Sequence, residues 1–362
     1  MKKISFAGPS ITNKEVRYVI NAVKYGWYST FDKDKKKLEE TIAKYIGVKY
    51  ALVGFCATHS LHLACLVCGF TKGDEIITTD FSWVATAHVI AYTGATPIFV
   101  DIDPNTWCID PDAIRKAITS KTKGIMIVHS YGIPCDMDKI MKIAHKHKLK
   151  VIEDAAPALG SLYKGKPVGG IGDIGCISFH GAKIAVGGEG GIFLTNNKEY
   201  YEKAKLLSNM GRTDRKATFW CDSMGYEYQM ANVTAALIRA QVERIETLVK
   251  MKRRIWSRYY KNLHNIQELH LIQENKGDRA NYCYPAVLLD KNIRNVLIDE
   301  LKKHNIHARA AFPRISLFPM YTERFYNPVA MNVMKYGLNL PSALNMTMKD
   351  IDYVCKKLKE VI

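Results

Sequence analysis

The chain predicts an α/β fold: a large domain whose mostly parallel sheet is covered by helices, followed by a smaller C-terminal α+β domain. Two observations carry this. Apolar strand-like runs alternate with helix-like segments from Tyr50 to Glu153, and such alternation implies parallel pairing through helical crossovers. From about Gln273 the order changes to strand, helix, strand and a final helix, the pattern of a separate α+β lobe. A length of 362 residues leaves room for one large domain and one smaller one. The division is placed at 1–245 and 246–362.

Taken in order, Thr12-x-x-Glu15 ahead of Val16, Val19 and Ile20 is a capping box that opens a helix, which Gly26-Trp27-Tyr28-Ser29-Thr30 interrupts. Strands are expected at Tyr50–Val53, Ile76–Thr79, Pro97–Val100, Gly124–His129 and Val151–Glu153, with helices at Leu61–Phe70, Val84–Tyr92, Pro111–Thr119 and Met137–His147 between them. A strand over Cys176–Phe179, a helix over Lys198–Ser208 and a loop over Gly211–Met224 follow, then one long helix through Ala235–Arg254. The last lobe reads as strand Tyr282–Leu289, helix Ile293–His304, strand His307–Ala311 and helix Lys349–Val361. In open parallel sheets the ligand sits beyond the carboxyl ends of the strands, which singles out Asp154 and the segment after Val53.

Composition narrows the function classes. The net charge is +17 and the lysines are scattered, so the excess reads as a solvated surface able to gather anionic small substrates. Nothing resembles a helix-turn-helix or an aromatic-basic RNA platform, so no nucleic-acid partner is expected. Nine cysteines lack the framework of a small secreted domain. Ala51–Phe70 carries no formal charge, but Gly54, Thr58, His59, Ser60 and His62 make it a buried strand and helix rather than a membrane span. No signal peptide is visible, and a cytoplasmic location is expected. His59, His62, Cys65 and Cys68 could suggest zinc, but their spacing along one helix in an apolar context reads as core, and no metal is expected. Gly170-x-Gly172-x-x-Gly175 matches a dinucleotide fingerprint by letters, yet it leads into a strand rather than a helix.

The chemistry is concentrated between Glu153 and Gly191. An apolar run ends in Glu153-Asp154-Ala155-Ala156; Ser178-Phe179-x-x-x-Lys183 follows and runs into Gly187-Gly188-Glu189-Gly190-Gly191. Pyridoxal 5′-phosphate (PLP) calls for this combination. A lysine amine bonds the cofactor aldehyde, a carboxylate keeps the pyridine nitrogen protonated, and glycines allow close backbone approach.

These motifs resemble the sugar aminotransferases of the DegT/StrS group, sugar-nucleotide enzymes of perosamine-synthase-like type within the fold-type-I PLP enzymes. The resemblance extends from Pro9 to the last helix, through Leu61-His62-Leu63-Ala64, Gly225-Tyr226-Glu227-Tyr228-Gln229-Met230-Ala231-Asn232, Ala311–Ser316 and Asn339-Leu340-Pro341-Ser342. It implies Lys183 and Asp154 as catalytic residues and Ala57, Thr58, Trp83, Ser178 and Asn232 as further cofactor contacts. Thr58 and Ser178 would meet the phosphate, Trp83 the ring, and the segment ending at Asn232 the partner subunit's cofactor. Ser29, His180, Phe312 and Ser316 are the implied substrate residues. The sequence departs from the family at Ala57 (usually Gly), Pro157 (Glu or Gln), Glu227 (Asn), Gln229 (Arg) and Ser316 (His).

The implied reaction transfers an amino group from an amino acid, L-glutamate by analogy, to a keto-sugar nucleotide such as a 4-keto-6-deoxyhexose, for polysaccharide or glycan synthesis. A homodimer with shared active sites is implied too. Alternatives are a same-fold deoxysugar dehydratase, which carries histidine in place of the lysine, an aminotransferase of a smaller keto-phosphate, and a PLP-binding regulator without turnover.

Overall fold

The computed structural model describes residues 3–213, 220–290 and 292–362. Residues 214–219 of the Gly211–Met224 loop therefore lie outside the described residues.

Two helices lead in, α1 (Asn13–Tyr25) and α2 (Lys33–Ile46). The capping box forms as expected: the backbone N–H of Thr12 donates to Glu15 Oε2 at 2.7 Å, and the Thr12 hydroxyl accepts from the first turn of α1. The alternating region then gives β1 (Tyr50–Gly54), α3 (Ala57–Val67), β2 (Glu75–Thr79), α4 (Ala85–Tyr92), β3 (Thr96–Val100), α5 (Pro111–Ala117), β4 (Thr122–Val128), α6 (Met137–His147) and β5 (Lys150–Asp154). A small hairpin, β6 (Leu162–Tyr163) and β7 (Lys166–Pro167), precedes β8 (Ile174–Ser178) and β9 (Gly191–Thr195).

These strands build a seven-stranded sheet in the order β1-β9-β8-β5-β4-β2-β3. Pairing is parallel from β8 to β3, while β9 runs antiparallel to both of its neighbours. The central strands are buried along almost their whole length, which explains their continuous apolar runs. Because β4, β5 and β8 are parallel, Val128, Asp154 and Ser178 end together at one edge.

Beyond the sheet come α7 (Lys198–Ser208), α8 (Asn232–Val242) and α9 (Ile245–Leu263). The expected single helix over 235–254 is thus two helices, broken at Glu243-Arg244. The break sits where Gln241 and Arg244 are drawn sideways: both donate to Ser10 O and to Glu15 Oε1 at the start of α1. Apolar periodicity runs on through such a break, so the sequence pattern does not register it.

The C-terminal lobe contains β10 (Leu269–Leu271), β11 (Ala286–Leu289), α10 (Arg294–Lys303), β12 (Arg309–Ala310), α11 (Pro328–Tyr336), β13 (Gly337–Asn339) and α12 (Met348–Lys359). Its strands form an antiparallel sheet in the order β10-β11-β13-β12. Both expected strands here are shorter than the sequence suggests. Tyr282 takes a positive φ of 50°, which keeps it out of β11. Ile4 from the N-terminal end pairs with Ile306 and joins the core of this lobe beside Ile255, Leu297 and Leu338.

Candidate active site

A cavity of about 560 Å³ opens at the carboxyl ends of β1, β4, β5 and β8, with β12 and β13 of the C-terminal lobe as its far wall. Ala57, Thr58, Trp83, Asp154, Ser178, His180, Lys183 and Phe312 all line it. The sequence motifs, more than a hundred positions apart at their extremes, therefore meet in one space.

Asp154 ends β5 and is 5% exposed. Thr86 Oγ1 donates to its Oδ2 at 2.8 Å and Ala156 N–H to its Oδ1 at 3.1 Å. Burial raises the pKa of this carboxyl, against the opposing pull of the Thr86 hydroxyl, the Ala156 N–H and the charge of Lys183. A buried carboxylate held this way is poised to pair with a protonated ring nitrogen.

Lys183 sits in the loop after β8. Its backbone N–H donates to His180 O at 2.8 Å, and Tyr284 OH donates to Ala182 O at 3.0 Å, so the loop is tied to the C-terminal lobe. The Lys183 ammonium lies 5.7 Å from the Tyr284 ring centroid. Trp83 presents an exposed face (64%) to the cavity, with Phe312 6.4 Å away between ring centroids.

The start of α3 has no side-chain cap, which leaves first-turn N–H groups free for an anion. Thr58 lies in that turn. Strand β9 reaches this corner because residue 191 is glycine: a Cβ there would come within 2.3 Å of the Cys56 carbonyl carbon. An uncapped helix start with two hydroxyls, a buried carboxylate, an amine and an exposed indole face together fit PLP.

Glu153, the neighbour of Asp154, has another task. It accepts N–H groups from Gly169 (2.7 Å), Ile171 (2.6 Å) and Gly172 (2.6 Å), and Nε2 of buried His129 at 3.0 Å. Burial opposes its ionisation, yet the His129 ring and the glycine N–H groups outweigh that and lower its pKa. The glycine-rich stretch that resembles a dinucleotide fingerprint thus wraps the chain's own carboxylate. His59 and His62 are likewise committed, His59 stacked on Tyr228 at 3.8 Å and His62 Nδ1 hydrogen-bonded to Tyr228 OH at 3.0 Å.

Three of the expected site residues do not line the cavity. Ser29 lies in an exposed turn after α1, next to Tyr28, which is 95% exposed. Asn232 starts α8 and is spent on Asp34: its Oδ1 accepts the Asp34 N–H at 2.8 Å. Ser316 is buried, and its hydroxyl donates to Asp80 Oδ2 at 2.9 Å. Glu227 is exposed, Gln229 donates to Ser208 O at 3.3 Å, and Pro157 lines the cavity while its carbonyl accepts from Asn281 at 2.9 Å.

Sequence reasoning missed Thr86, Tyr131, Tyr284 and Arg309, all of which line the cavity. Thr86 had a usable signal, a hydroxyl in the first turn of a helix that follows a strand end. The others carry no local motif.

A strand-end carboxylate opposite a loop lysine, on this mostly parallel sheet, defines a PLP-dependent enzyme of fold type I. The chain belongs to the DegT/DnrJ/EryC1/StrS aminotransferase family, which matches residues 9–359. It is 38% identical to the GDP-perosamine synthase of Escherichia coli O157:H7 over 366 residues, covering 99% of each chain, and 34% identical to that of Caulobacter vibrioides, covering 100% of this chain and 99% of the other. Its fold superposes on Spr1654 from Streptococcus pneumoniae in the PMP form with a TM-score of 0.94 at 27% identity, over 99% of this chain and 98% of that one, and on the PLP form with a TM-score of 0.93. The protein is accordingly a PLP-dependent sugar aminotransferase of perosamine-synthase type. Among the described residues, no helix is long and apolar enough to cross a membrane.

Proposed function

We propose that this enzyme transfers an amino group from L-glutamate to a nucleotide-linked 4-keto-6-deoxyhexose for polysaccharide synthesis in the cytoplasm. The observation that carries the reading is the placement of Lys183 in one cavity with Asp154, whose carboxylate Thr86 and Ala156 hold from both oxygens. The relatives named GDP-perosamine synthase support a GDP-linked sugar.

PLP, when bound, supplies an electron sink for the carbon that carries the amine. In this reading Lys183 Nζ would provide the attachment amine and would also be the group that moves the proton at that carbon. Asp154 would hold the proton at the ring nitrogen; Thr58, Ser178 and the α3 start, with Ala57 as its first residue, would hold the phosphate, and Trp83 would offer its face to the ring. His180 and Phe312 border the sugar. Ser29 serves a neighbouring subunit's site in a homodimer, a role supported by the exposed Trp27, Tyr28 and Phe31 around it, while Asn232, held by Asp34, positions the start of α8. Ser316 does not reach the cavity; its hydroxyl is bonded to the buried Asp80 carboxylate. The same reading keeps the division of the chain at 245/246.

Half-reaction spectroscopy tests this. L-Glutamate alone is expected to convert the PLP band to the pyridoxamine band, and a GDP-linked 4-keto-6-deoxyhexose to restore it. A band that glutamate leaves unchanged would rule out the aminotransferase cycle with that donor. Sedimentation at assay concentration is expected to give a dimer.

A further inference from the structure

Ser130 follows β4 and lines the cavity that contains Lys183. It is 4% exposed, and its hydroxyl oxygen is buried with no hydrogen-bond partner among the described residues. Backbone bonds fix its place. The N–H of His129 donates to Asp154 O at 3.1 Å, so Ser130 lies one residue past the tip of β5. The turn that follows is pinned: Gly132 N–H donates to His129 O at 3.0 Å, and Ile133 N–H to Ser130 O at 2.9 Å. Tyr131 inside it takes a left-handed φ of 54°, a strained conformation for a residue with a side chain. Gly132, at φ 90°, leaves room for the C-terminal lobe, since a Cβ there would come within 1.9 Å of Asn281 Oδ1.

A buried hydroxyl without a partner destabilises the protein that carries it. One staggered rotation about its Cα–Cβ bond re-aims it, so a group arriving in the cavity can accept its proton. The neighbours on this flank offer nothing equivalent. Val128, Ala156 and Pro157 carry no side-chain donor, and the Pro157 carbonyl accepts from Asn281 at 2.9 Å. The order of the sheet says which side of the cofactor this flank is. Along the edge come Ser178 at the end of β8, Asp154 at the end of β5 and Ser130 after β4. PLP carries its phosphate arm and its ring oxygen on opposite sides of the line from ring nitrogen to aldehyde carbon. With the nitrogen at Asp154 and the phosphate at Ser178 and the α3 start, the ring oxygen would face β4.

We propose that Ser130 is the hydrogen-bond donor to the ring oxygen of PLP. This rests on the cofactor placement in the reading above. The ring oxygen is negative and lies beside the nitrogen through which Lys183 would hold the cofactor, so it retains the proton on that nitrogen. An O–H donated to the oxygen draws off part of this charge and lets the proton leave at a lower pH. Ser130 would thus set the pH at which the lysine-bound cofactor loses its proton.

The test titrates PLP-loaded wild type, Ser130→Ala and Ser130→Thr with base and follows the band of the lysine-bound cofactor. Ser130→Ala is expected to move the midpoint up by about half to one pH unit, the size of one hydrogen bond. PLP added back to the cofactor-stripped protein is expected to bind this variant about fivefold more weakly. Ser130→Thr, which keeps the hydroxyl, is expected to match the wild type in both. Without PLP, Ser130→Ala is expected to unfold at the same denaturant concentration as the wild type or higher, because no native hydrogen bond is lost. A Ser130→Ala midpoint within about 0.2 pH unit of the wild type overturns the proposal. So does an effect confined to glutamate affinity, which would make Ser130 a substrate contact, or easier unfolding without PLP, which would make it structural. A wild type that shows no such band with PLP added would overturn the cofactor placement, and this proposal with it.

Discussion

Thr86 Oγ1 donates to Asp154 Oδ2 across 2.8 Å, and Ser82 Oγ lies 3.2 Å from the same hydroxyl. The first turn of α4 thereby fixes the carboxylate at the end of β5. An unanchored carboxyl in this buried place would be free to rotate and would be raised further in pKa, both of which weaken its pairing with a ring N–H.

Thr86→Val keeps the shape and removes this hydrogen bond. Activity is expected to fall about tenfold, in line with about 1–1.5 kcal/mol for one hydrogen bond, and the ring proton of bound PLP should be lost at a lower pH than in the wild type. Thr86→Ser is expected to restore both. A valine variant with wild-type rate and spectrum would show that Asp154 needs no anchor.

The Asp80–Arg314 pair joins the end of β2 to the C-terminal lobe. Arg314 Nε donates to Asp80 Oδ2 at 2.7 Å, with both side chains fully buried, and Ser316 and Asn327 complete the carboxylate's partners. Arg314 also pairs with Glu323. Removing one partner of such a pair strands the other, so Asp80→Asn is expected to destabilise the fold by about 3 kcal/mol. Denaturant unfolding reads this directly; a loss below about 1 kcal/mol would mean that Glu323 alone satisfies Arg314.

Lys252 is buried within α9, and its ammonium donates to Cys283 O (2.9 Å), Ser342 O (2.6 Å) and Ser342 Oγ (2.9 Å). Burial pulls its pKa from 10.5 down to about 8. Between these two values the unfolded chain binds a proton that the folded chain releases, so stability rises with pH across about 8 to 10.5. The full contribution is about 3 kcal/mol. Unfolding midpoints at pH 7.5, 8.5 and 9.5 are expected to climb relative to those of Lys252→Met. Parallel curves for the two proteins would contradict the buried-cation assignment.

The fold was legible where local chemistry sets it. Helices α6 and α7 fall at the expected residues because Asp136 and Asn197 cap them and their apolar stripes are regular. The β-strands of the large domain were visible because burial on both faces leaves long apolar runs. Long-range ties were not legible: the break between α8 and α9 depends on Arg244 meeting Glu15, more than two hundred residues away. The site divides in the same way. Asp154, Ser178 and Lys183 announce themselves through motifs at strand ends. Thr86, Tyr284 and Arg309 matter through where the fold puts them, and Ser316 was read as a cavity residue because nothing local reveals its bond to Asp80.

Absorption and turnover of Lys183→Ala test the central claim most directly. With PLP added, the wild type should show the band of the lysine-bound cofactor and be bleached by glutamate. Lys183→Ala should lack that band, and its turnover should fall by about a thousandfold or more, since it loses both the attachment amine and the proton carrier. A Lys183→Ala protein that keeps the band, or turns over normally, would contradict the assignment of Lys183 as the residue on which this site is built.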